Sequence, residues 1–167
     1  NVPDFACIAK PYINVTIIGM GAVGMHAARA ASKYGSIDFF RASGQQNVPG
    51  VLVQFAGRTI TRDPLSLEAV IKTSDMLVDA SKRKDPTVPI IKNDLLGLLP
   101  EHAIILDLTA DPYNFDVSPY QLKGIEGIPT GSLDEYVFDT NHAVYSHLSK
   151  YVNTTHRRIV VSCNAWP

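Results

Sequence analysis

The 167-residue sequence predicts an open, doubly wound α/β fold in which a mostly parallel sheet carries helices on both faces. The first observation is a set of short apolar runs with little polar alternation, which is typical of parallel strands buried on both faces. The second is that these runs alternate along the chain with segments of helical periodicity. The length and the 46% hydrophobic content suit one compact domain, residues 1–167, with a substantial core.

Four apolar runs are the main candidate strands. The first is short, β-branched and continuous, as expected for a central strand, and the second is rich in β-branched residues and alternates. A weaker candidate follows in a loop-rich stretch near the middle of the C-terminal half. In chain order the predicted strands are Val15–Ile18, Val51–Phe55, Met76–Val78, Ala103–Leu108 and, more weakly, Ile125–Ile128.

The first predicted helix covers Ala22–Lys33, because this segment contains several alanines and no helix-breaking residue. Gly35 has the position of a C-terminal cap. The stretch that follows is ambiguous. Residues 36–49 fit either a strand at "SIDFF" or the end of a helix followed by the loop "SGQQNVPG".

Two further helices are predicted from their boundary residues. Asp63 and Pro64 are a favourable N-cap and first helical position, and the apolar residues that follow recur on one helical face. A shorter helix is predicted over Asn93–Leu99, and Pro100 ends it.

A glycine motif joins the first predicted strand to the first predicted helix. Residues 19–24 match G-x-G-x-x-G, and between a strand and a helix this pattern indicates a dinucleotide-binding turn. The first glycine permits the tight turn, the second lets a pyrophosphate approach the backbone, and the third lets the helix pack on the strand. The N–H groups and the dipole at the helix start would hold the phosphates. The residues predicted to contact NAD or NADP here are Gly19, Met20, Gly21, Ala22, Val23 and Gly24.

The end of the second strand bears on the choice between NAD and NADP. NAD-binding Rossmann domains place an acidic residue there, which binds the ribose 2′-hydroxyl. This sequence has Arg58 and Thr59 instead, which favour a 2′-phosphate and therefore NADP. An ordinary solvated loop explains Arg58 equally well. If "SIDFF" is the second strand, its end carries Arg41 and Ser43, again without an acid.

Residues 74–111, "SDMLVDASKRKDPTVPIIKNDLLGLLPEHAIILDLTAD", resemble the nucleotide-binding domain shared by alanine dehydrogenases and the soluble part of proton-translocating nicotinamide transhydrogenases. In that family a strand leads into a proline-bearing loop, a short helix, a "P-G-S-V-I-V-D" strand and an acidic residue, which Asp111 matches. The final segment, "VNTTHRRIVVSCNAWP", is similar to the one that leads into the family's "T-N-A-T-L-P", with Asn164 on its asparagine. Propensity predicts a strand over "RRIVVSC", whereas the family has a helix start there.

The resemblance implies that Asp111 and Asn164 are the catalytic residues. Asp111 follows the predicted strand at the edge where open α/β sheets bind ligands, and it would orient a water or a substrate amine there. The alternatives are an Asp-Pro turn for Asp111 and a cap or loop position for Asn164. Ser81, Leu108 and Thr109, at or just past strand ends, are predicted to line the cofactor site.

Other polar residues have simpler explanations. Asp107 lies within its strand and is expected to be a structural hydrogen-bond partner. The basic run of residues 82–84 fits a solvated loop, or less simply a phosphate or domain contact. His142 and His147 are five residues apart, which is poor spacing for one helix face, so no metal site is predicted.

Composition argues against several classes of partner. The formal net charge of −1 gives no electrostatic footprint for nucleic acid or an anionic membrane. The sequence shows no apolar stretch of membrane-spanning length and no signal peptide. Cys7 and Cys163 fit buried free thiols in a reducing compartment, so a cytoplasmic location is expected.

The resemblance implies an oxidoreductase like alanine dehydrogenase, with hydride transfer between the nicotinamide and an amino acid or 2-oxo acid. In that family a second domain supplies the lysine and histidine that bind the keto acid. We therefore expect this chain to be an inactive piece of a larger, homo-oligomeric, two-domain protein. Two alternatives stay open: the dinucleotide-binding part of a transhydrogenase, and a nucleotide-sensing module without catalysis.

Overall fold

The computed structural model describes residues 12–34 and 50–164, and all that follows concerns these residues. They form one sheet and a set of mostly short helices. The strands are β1 (Tyr12–Ile18), β2 (Gly50–Ala56), β3 (Met76–Asp79), β4 (Ile104–Asp107), β5 (Val137–Phe138) and β6 (Ile159–Ser162). The helices are α1 (Ala22–Tyr34), α2 (Arg58–Arg62), α3 (Pro64–Thr73), α4 (Asn93–Leu96) and α5 (Tyr145–Leu148).

The sheet order is β2-β1-β3-β4-β6-β5, and every pairing is parallel except that of β5 with β6. The chain leaves β1 for β2 on one side and then crosses to β3 on the other side. Open α/β sheets bind ligands in a crevice at such a reversal, which here lies at the carboxyl ends of β1 and β3. The predicted doubly wound α/β fold is confirmed.

Two apolar clusters lie on opposite faces of the sheet, because successive strand residues point to opposite sides. Ile17 belongs to the cluster beneath the alanines of α1, whereas its neighbour Ile18 belongs to the cluster beneath α3 and α4. The second cluster is the more deeply buried and includes Ile71 and Ile105, both fully shielded from solvent. Helices therefore cover both faces, as the apolar strand runs predict.

The four main predicted strands are all present, with boundaries within three residues of those expected. The prediction of a weaker strand over Ile125–Ile128 was wrong. Within this segment Ile125 alone forms a bridge, to Ile91, and Gly127 then turns the chain with φ +79°. At the C-terminal end the strand propensity was right. β6 lies in the "RRIVVSC" segment, where the family resemblance placed a helix start.

The predicted start of α3 is confirmed, since Asp63 is its N-cap and accepts a hydrogen bond from the Ser66 N–H at 2.8 Å. The predicted helix over 93–99 is shorter than expected. After α4 the chain continues as turns with bonds between residues three apart, and the Leu99 carbonyl accepts from the Arg158 guanidinium. Such turns are tighter than an α-helix. The sequence did not predict α2, α5 or β5.

The long connection from β4 to β5 covers the carboxyl edge of the sheet. A bridge between Asn114 and Gln121 closes part of this connection into a loop. The Phe115 ring stacks on Tyr151 with centroids 4.2 Å apart, and this contact fixes the loop against the segment after α5.

Some predictions fall outside the described residues. These concern Cys7, Gly35 and the whole of residues 36–49, including the alternative second strand. In the part of the chain that the structure describes, no helix combines the length and apolar character needed to cross a bilayer.

Candidate functional site at the carboxyl edge of the sheet

The glycine turn follows β1 and is built so that its first residue must be glycine. Gly19 has φ +100°, a conformation that L side chains rarely adopt. A Cβ on Gly19 would also lie 2.5 Å from the Ala80 carbonyl oxygen, just past β3. The turn is therefore pressed against the end of the neighbouring strand, at the crevice between β1 and β3.

The third and second glycines of the motif differ in what surrounds them. A Cβ on Gly24 would lie 2.2 Å from the Gly19 carbonyl oxygen, so close packing of α1 on the turn requires glycine there. A Cβ on Gly21 would meet no described atom within 4 Å. Packing within the described residues therefore explains Gly19 and Gly24 but leaves open space beside Gly21.

The start of α1 is suited to binding an anion. The first helical bond runs from the Met25 N–H to the Gly21 carbonyl at 3.0 Å, so the amides of residues 22–24 have no partner within the helix. Its first turn contains no acidic residue. Unpaired amides and the positive end of the helix dipole together favour a phosphate at this position.

The end of β2 lies beside the glycine turn. β2 pairs with β1 through its last residue, Ala56, and a Cβ on the following Gly57 would lie 3.2 Å from the Met20 sulfur. Arg58 and Thr59 then begin α2, and both are exposed. The structure thus places these two predicted residues at the expected strand end, on the side of the turn away from β3.

The ends of β3 and β4 carry two buried carboxylates. Asp79 and Asp107 are paired in register on adjacent parallel strands, and their exposed fractions are 1% and 0%. Lys123, also fully buried, brings its Nζ to 2.8 Å from Asp107 Oδ2. A buried cation beside Asp107 offsets part of the cost of removing that carboxylate from water.

Asp107 is fully engaged, as expected of a structural partner. Its Oδ1 accepts hydrogen bonds from the Thr109 N–H and hydroxyl, and its Oδ2 accepts from the Ser162 hydroxyl at 2.7 Å. Thr109 is therefore held against Asp107 and is buried. Leu108, half-buried, packs on the apolar cluster beneath α1.

Asp79 is less well satisfied than Asp107. Its Oδ1 accepts from the Ser81 N–H at 3.0 Å, but its Oδ2 is buried without a hydrogen-bond partner. The Ser81 hydroxyl is likewise buried without a hydrogen-bond partner. Burial raises the pKa of Asp79 to about 6, and the nearby Asp107 charge adds to this, while Ser81 and Arg83 act in the opposite direction.

We expect Asp79→Asn to gain stability relative to the wild type as pH rises from 4 to 7. The pKa of Asp79 is raised in the folded protein from 3.8 to about 6, so the folded state binds more protons in this range. The contribution of Asp79 to the free energy of unfolding is therefore fully present below pH 4. As the pH rises through 6, the wild type loses about 3 kcal/mol of this contribution. Urea unfolding of both proteins at several pH values measures the difference. Parallel stability curves would contradict this account.

Asp111 lies four residues past β4 and is held by Arg83. The Arg83 Nε and Nη2 donate to Asp111 Oδ2 at 3.2 and 3.1 Å. The Arg83 side chain is only 5% exposed, so the expectation of a solvated loop is wrong for this residue, although Lys82 and Lys84 are exposed. Asp111 is thus not merely a turn residue, because it anchors a buried guanidinium.

The remaining predicted residues are more scattered. Asn164 is exposed just past β6, and its N–H donates to the Gly131 carbonyl at 3.1 Å. His142 contacts Glu135 and the Phe138 ring, which are distant in the sequence from the ends of β3 and β4. Cys163 is buried, as predicted. Among residues 12–34 and 50–164, no group of three or more His, Cys, Asp or Glu side chains is arranged to hold a metal.

Comparisons with known proteins give partial likenesses. No protein-family model matches the chain. An 18-hydroxynorfluorocurarine reductase from a Strychnos species is 25% identical over 162 residues, which cover 90% of this chain and 43% of the reductase. The chain therefore spans less than half the length of this curated relative.

Two solved structures align with part of the chain. An NAD-dependent formate dehydrogenase from Staphylococcus aureus, solved with NAD, is 14% identical with a TM-score of 0.40, over 57% of this chain and 26% of that protein. An NADPH-dependent glyoxylate/hydroxypyruvate reductase from Sinorhizobium meliloti is 22% identical with a TM-score of 0.34, over 57% of this chain and 46% of that protein.

Proposed function

We propose that this chain is the NAD(P)-binding domain of an oxidoreductase. The observation that carries the proposal is the contrast within the glycine turn. Neighbouring protein atoms require glycine at 19 and 24, whereas position 21 faces open space beside the unpaired amides of α1. A pyrophosphate fits this space, because it needs both a close backbone approach and N–H donors. The distant reductase relative supports the reaction class.

The crevice suggests how a bound dinucleotide would lie. With its pyrophosphate at the glycine turn, the adenosine half would extend toward Arg58 at the end of β2. The nicotinamide half would extend toward the ends of β3 and β4, where Asp111 is one-third exposed. The nicotinamide, when bound, supplies hydride transfer. This chain contributes the phosphate-binding amides and the carboxylate of Asp111 near that end.

For the substrate we propose an amino acid or 2-oxo acid, as in alanine dehydrogenases. This finer proposal is supported by the sequence resemblance over residues 74–111. In it Asp111 orients a water or substrate amine, and Asn164 contributes from the end of β6. A second domain of the parent protein would supply the remaining substrate contacts, so the isolated chain is expected to bind cofactor without turnover.

Titration of the purified chain with NADH, NADPH and ADP-ribose by calorimetry tests the proposal. We expect saturable binding of one stoichiometric equivalent of at least one nicotinamide dinucleotide, and weaker but measurable binding of ADP-ribose. The failure of all three compounds to bind a folded chain would contradict it. Binding of ADP-ribose alone would favour a nucleotide-sensing role.

Arg58→Ala is expected to weaken NADPH binding by roughly ten- to a hundredfold and to leave NADH binding almost unchanged. The reason is that a guanidinium forms charge-assisted hydrogen bonds to a 2′-phosphate, worth about 1.5–3 kcal/mol. Arg62→Ala, at the other end of the same helix, is the matched control and should alter neither affinity. Equal losses for both cofactors would assign Arg58 to a shared part of the ligand. No loss for either would remove the preference for NADP.

A further inference from the structure

We infer that Arg83 is a positioning residue that holds Asp111 at the nicotinamide end of the crevice and offsets its charge, and so sets the preference between oxidised and reduced cofactor. The inference rests on the proposed function. It concerns a residue that the sequence placed in a solvated basic loop and that the structure buries.

The donors of the Arg83 guanidinium are all directed at protein oxygens. Two of them converge on Asp111 Oδ2, as described above. Nη1 donates to the carbonyls of Pro86 and Val88 at 3.3 and 3.0 Å, and Nη2 also donates to the carbonyl of Leu122. Arg83 therefore has no donor left for a cofactor phosphate. Its role is to fasten Asp111 to the loops on either side.

Asp111 is held from a second direction as well. The Lys123 Nζ donates to the Asp111 backbone carbonyl at 2.9 Å. The two residues that anchor Asp111 are buried, with side-chain exposures of 5% for Arg83 and 0% for Lys123. The Asp111 side chain itself is 35% exposed. The carboxylate is thus fixed in position and still partly accessible to solvent.

Charge makes this arrangement sensitive to the redox state of a bound nicotinamide. The oxidised ring carries one more positive charge than the reduced ring. The Asp111 carboxylate would favour the oxidised ring, and the Arg83 guanidinium in contact with it opposes this effect. Unit charges several ångströms apart near a protein surface interact strongly enough to change an affinity ratio about three- to tenfold. Removing the Arg83 charge should therefore shift the preference toward NAD⁺.

The test is a double-mutant cycle on the ratio of NADH to NAD⁺ dissociation constants, measured by calorimetry on the full chain. Arg83→Gln should raise this ratio about three- to tenfold, whereas Arg83→Lys, which keeps the charge, should stay within about twofold of the wild type. Asp111→Asn should lower the ratio. In the Asp111→Asn background, Arg83→Gln should raise the ratio by a larger factor than in the wild type, because the direct effect of the lost charge remains while there is no carboxylate left to be displaced.

An equal effect of Arg83→Gln with and without the Asp111 carboxylate would overturn the inference, since Arg83 would then act through its own charge and not by positioning Asp111. If thermal melts show that Arg83→Gln does not fold, Asp111→Asn and Arg83→Lys decide. A lowered ratio in Asp111→Asn together with a wild-type ratio in Arg83→Lys supports the inference, and an unchanged ratio in Asp111→Asn overturns it.

ADP-ribose, which lacks nicotinamide, separates the failure of this inference from the failure of the proposed function. If it and both dinucleotides fail to bind the wild type, the proposed function fails. If they bind but the cycle shows no coupling, only the role of Arg83 fails.

Discussion

Replacing Lys123 by methionine is expected to lower the free energy of unfolding by about 3–5 kcal/mol, because it leaves a buried carboxylate without its cation. Lys123 and Asp107 are both fully shielded, and their charged atoms are 2.8 Å apart. The same lysine also donates to the Asp111 carbonyl, so the loop after β4 should loosen with it. Urea unfolding followed by circular dichroism measures the loss.

The same substitution at an exposed ion pair provides the control. Lys72 pairs with Glu68 one helical turn away, and its side chain is 52% exposed. Lys72→Met should therefore change stability by no more than about 0.5 kcal/mol. Adding Asp107→Asn to Lys123→Met should recover part of the loss, since it removes the unpaired charge. A Lys123→Met protein as stable as Lys72→Met would show that the buried pair contributes little.

Gly21→Val is expected to reduce dinucleotide affinity at least about tenfold, or 1.4 kcal/mol, while the fold stays intact. No described atom lies within 4 Å of a Cβ at this position, so the protein itself accommodates the side chain. The valine would instead occupy the space assigned to the pyrophosphate and block its approach to the α1 amides. Calorimetric titration with NADH and NADPH measures the affinity, and a thermal melt checks the fold.

Gly24→Ala is the informative comparison for that experiment. Its Cβ would lie 2.2 Å from the Gly19 carbonyl oxygen, so it should lower the melting temperature whether or not ligand is present. A stable Gly21→Val protein that binds as tightly as the wild type would leave the open space at the turn without a function. Loss of stability in Gly21→Val equal to that in Gly24→Ala would show that position 21 is constrained by packing.

The parts of the fold that depend on neighbours in sequence were predictable. β1 ends in a β-branched run, Val15–Ile18, β4 begins with three consecutive apolar residues, and α3 begins at an Asp-Pro pair whose capping role is local. The short helices α2 and α5 carry no comparable signal. Each spans only four or five residues, too few for an apolar periodicity to develop.

Of the candidate site, only the part formed by residues close together in the sequence could be predicted. The glycine turn is a local motif, and its three glycines were identified from spacing. The partners Lys123 and Asp107 are sixteen positions apart and are joined only by the path of the loop after β4. Gly124 follows Lys123, and a Cβ there would lie 2.3 Å from the Asp79 Oδ2. In the sequence alone, however, that glycine is indistinguishable from an ordinary turn residue.

Arg83 illustrates how burial can defeat a compositional argument. A run of three basic residues predicts a solvated loop, and two of the three are indeed exposed. The middle residue is buried because the carbonyls of two loops and the Asp111 carboxylate surround its guanidinium. No spacing rule links positions 83 and 111, so only the tertiary structure brings them together.

The central claim is that the glycine turn at the start of α1 binds the pyrophosphate of NAD(P). It is tested most directly by recording backbone amide chemical shifts of the full chain during titration with NADPH or NADH. The account predicts saturable shifts that are largest for the amides of residues 19–24, with smaller shifts at Arg58 and at the end of β3. Saturable shifts centred elsewhere, with the amides of residues 19–24 unmoved, would contradict it.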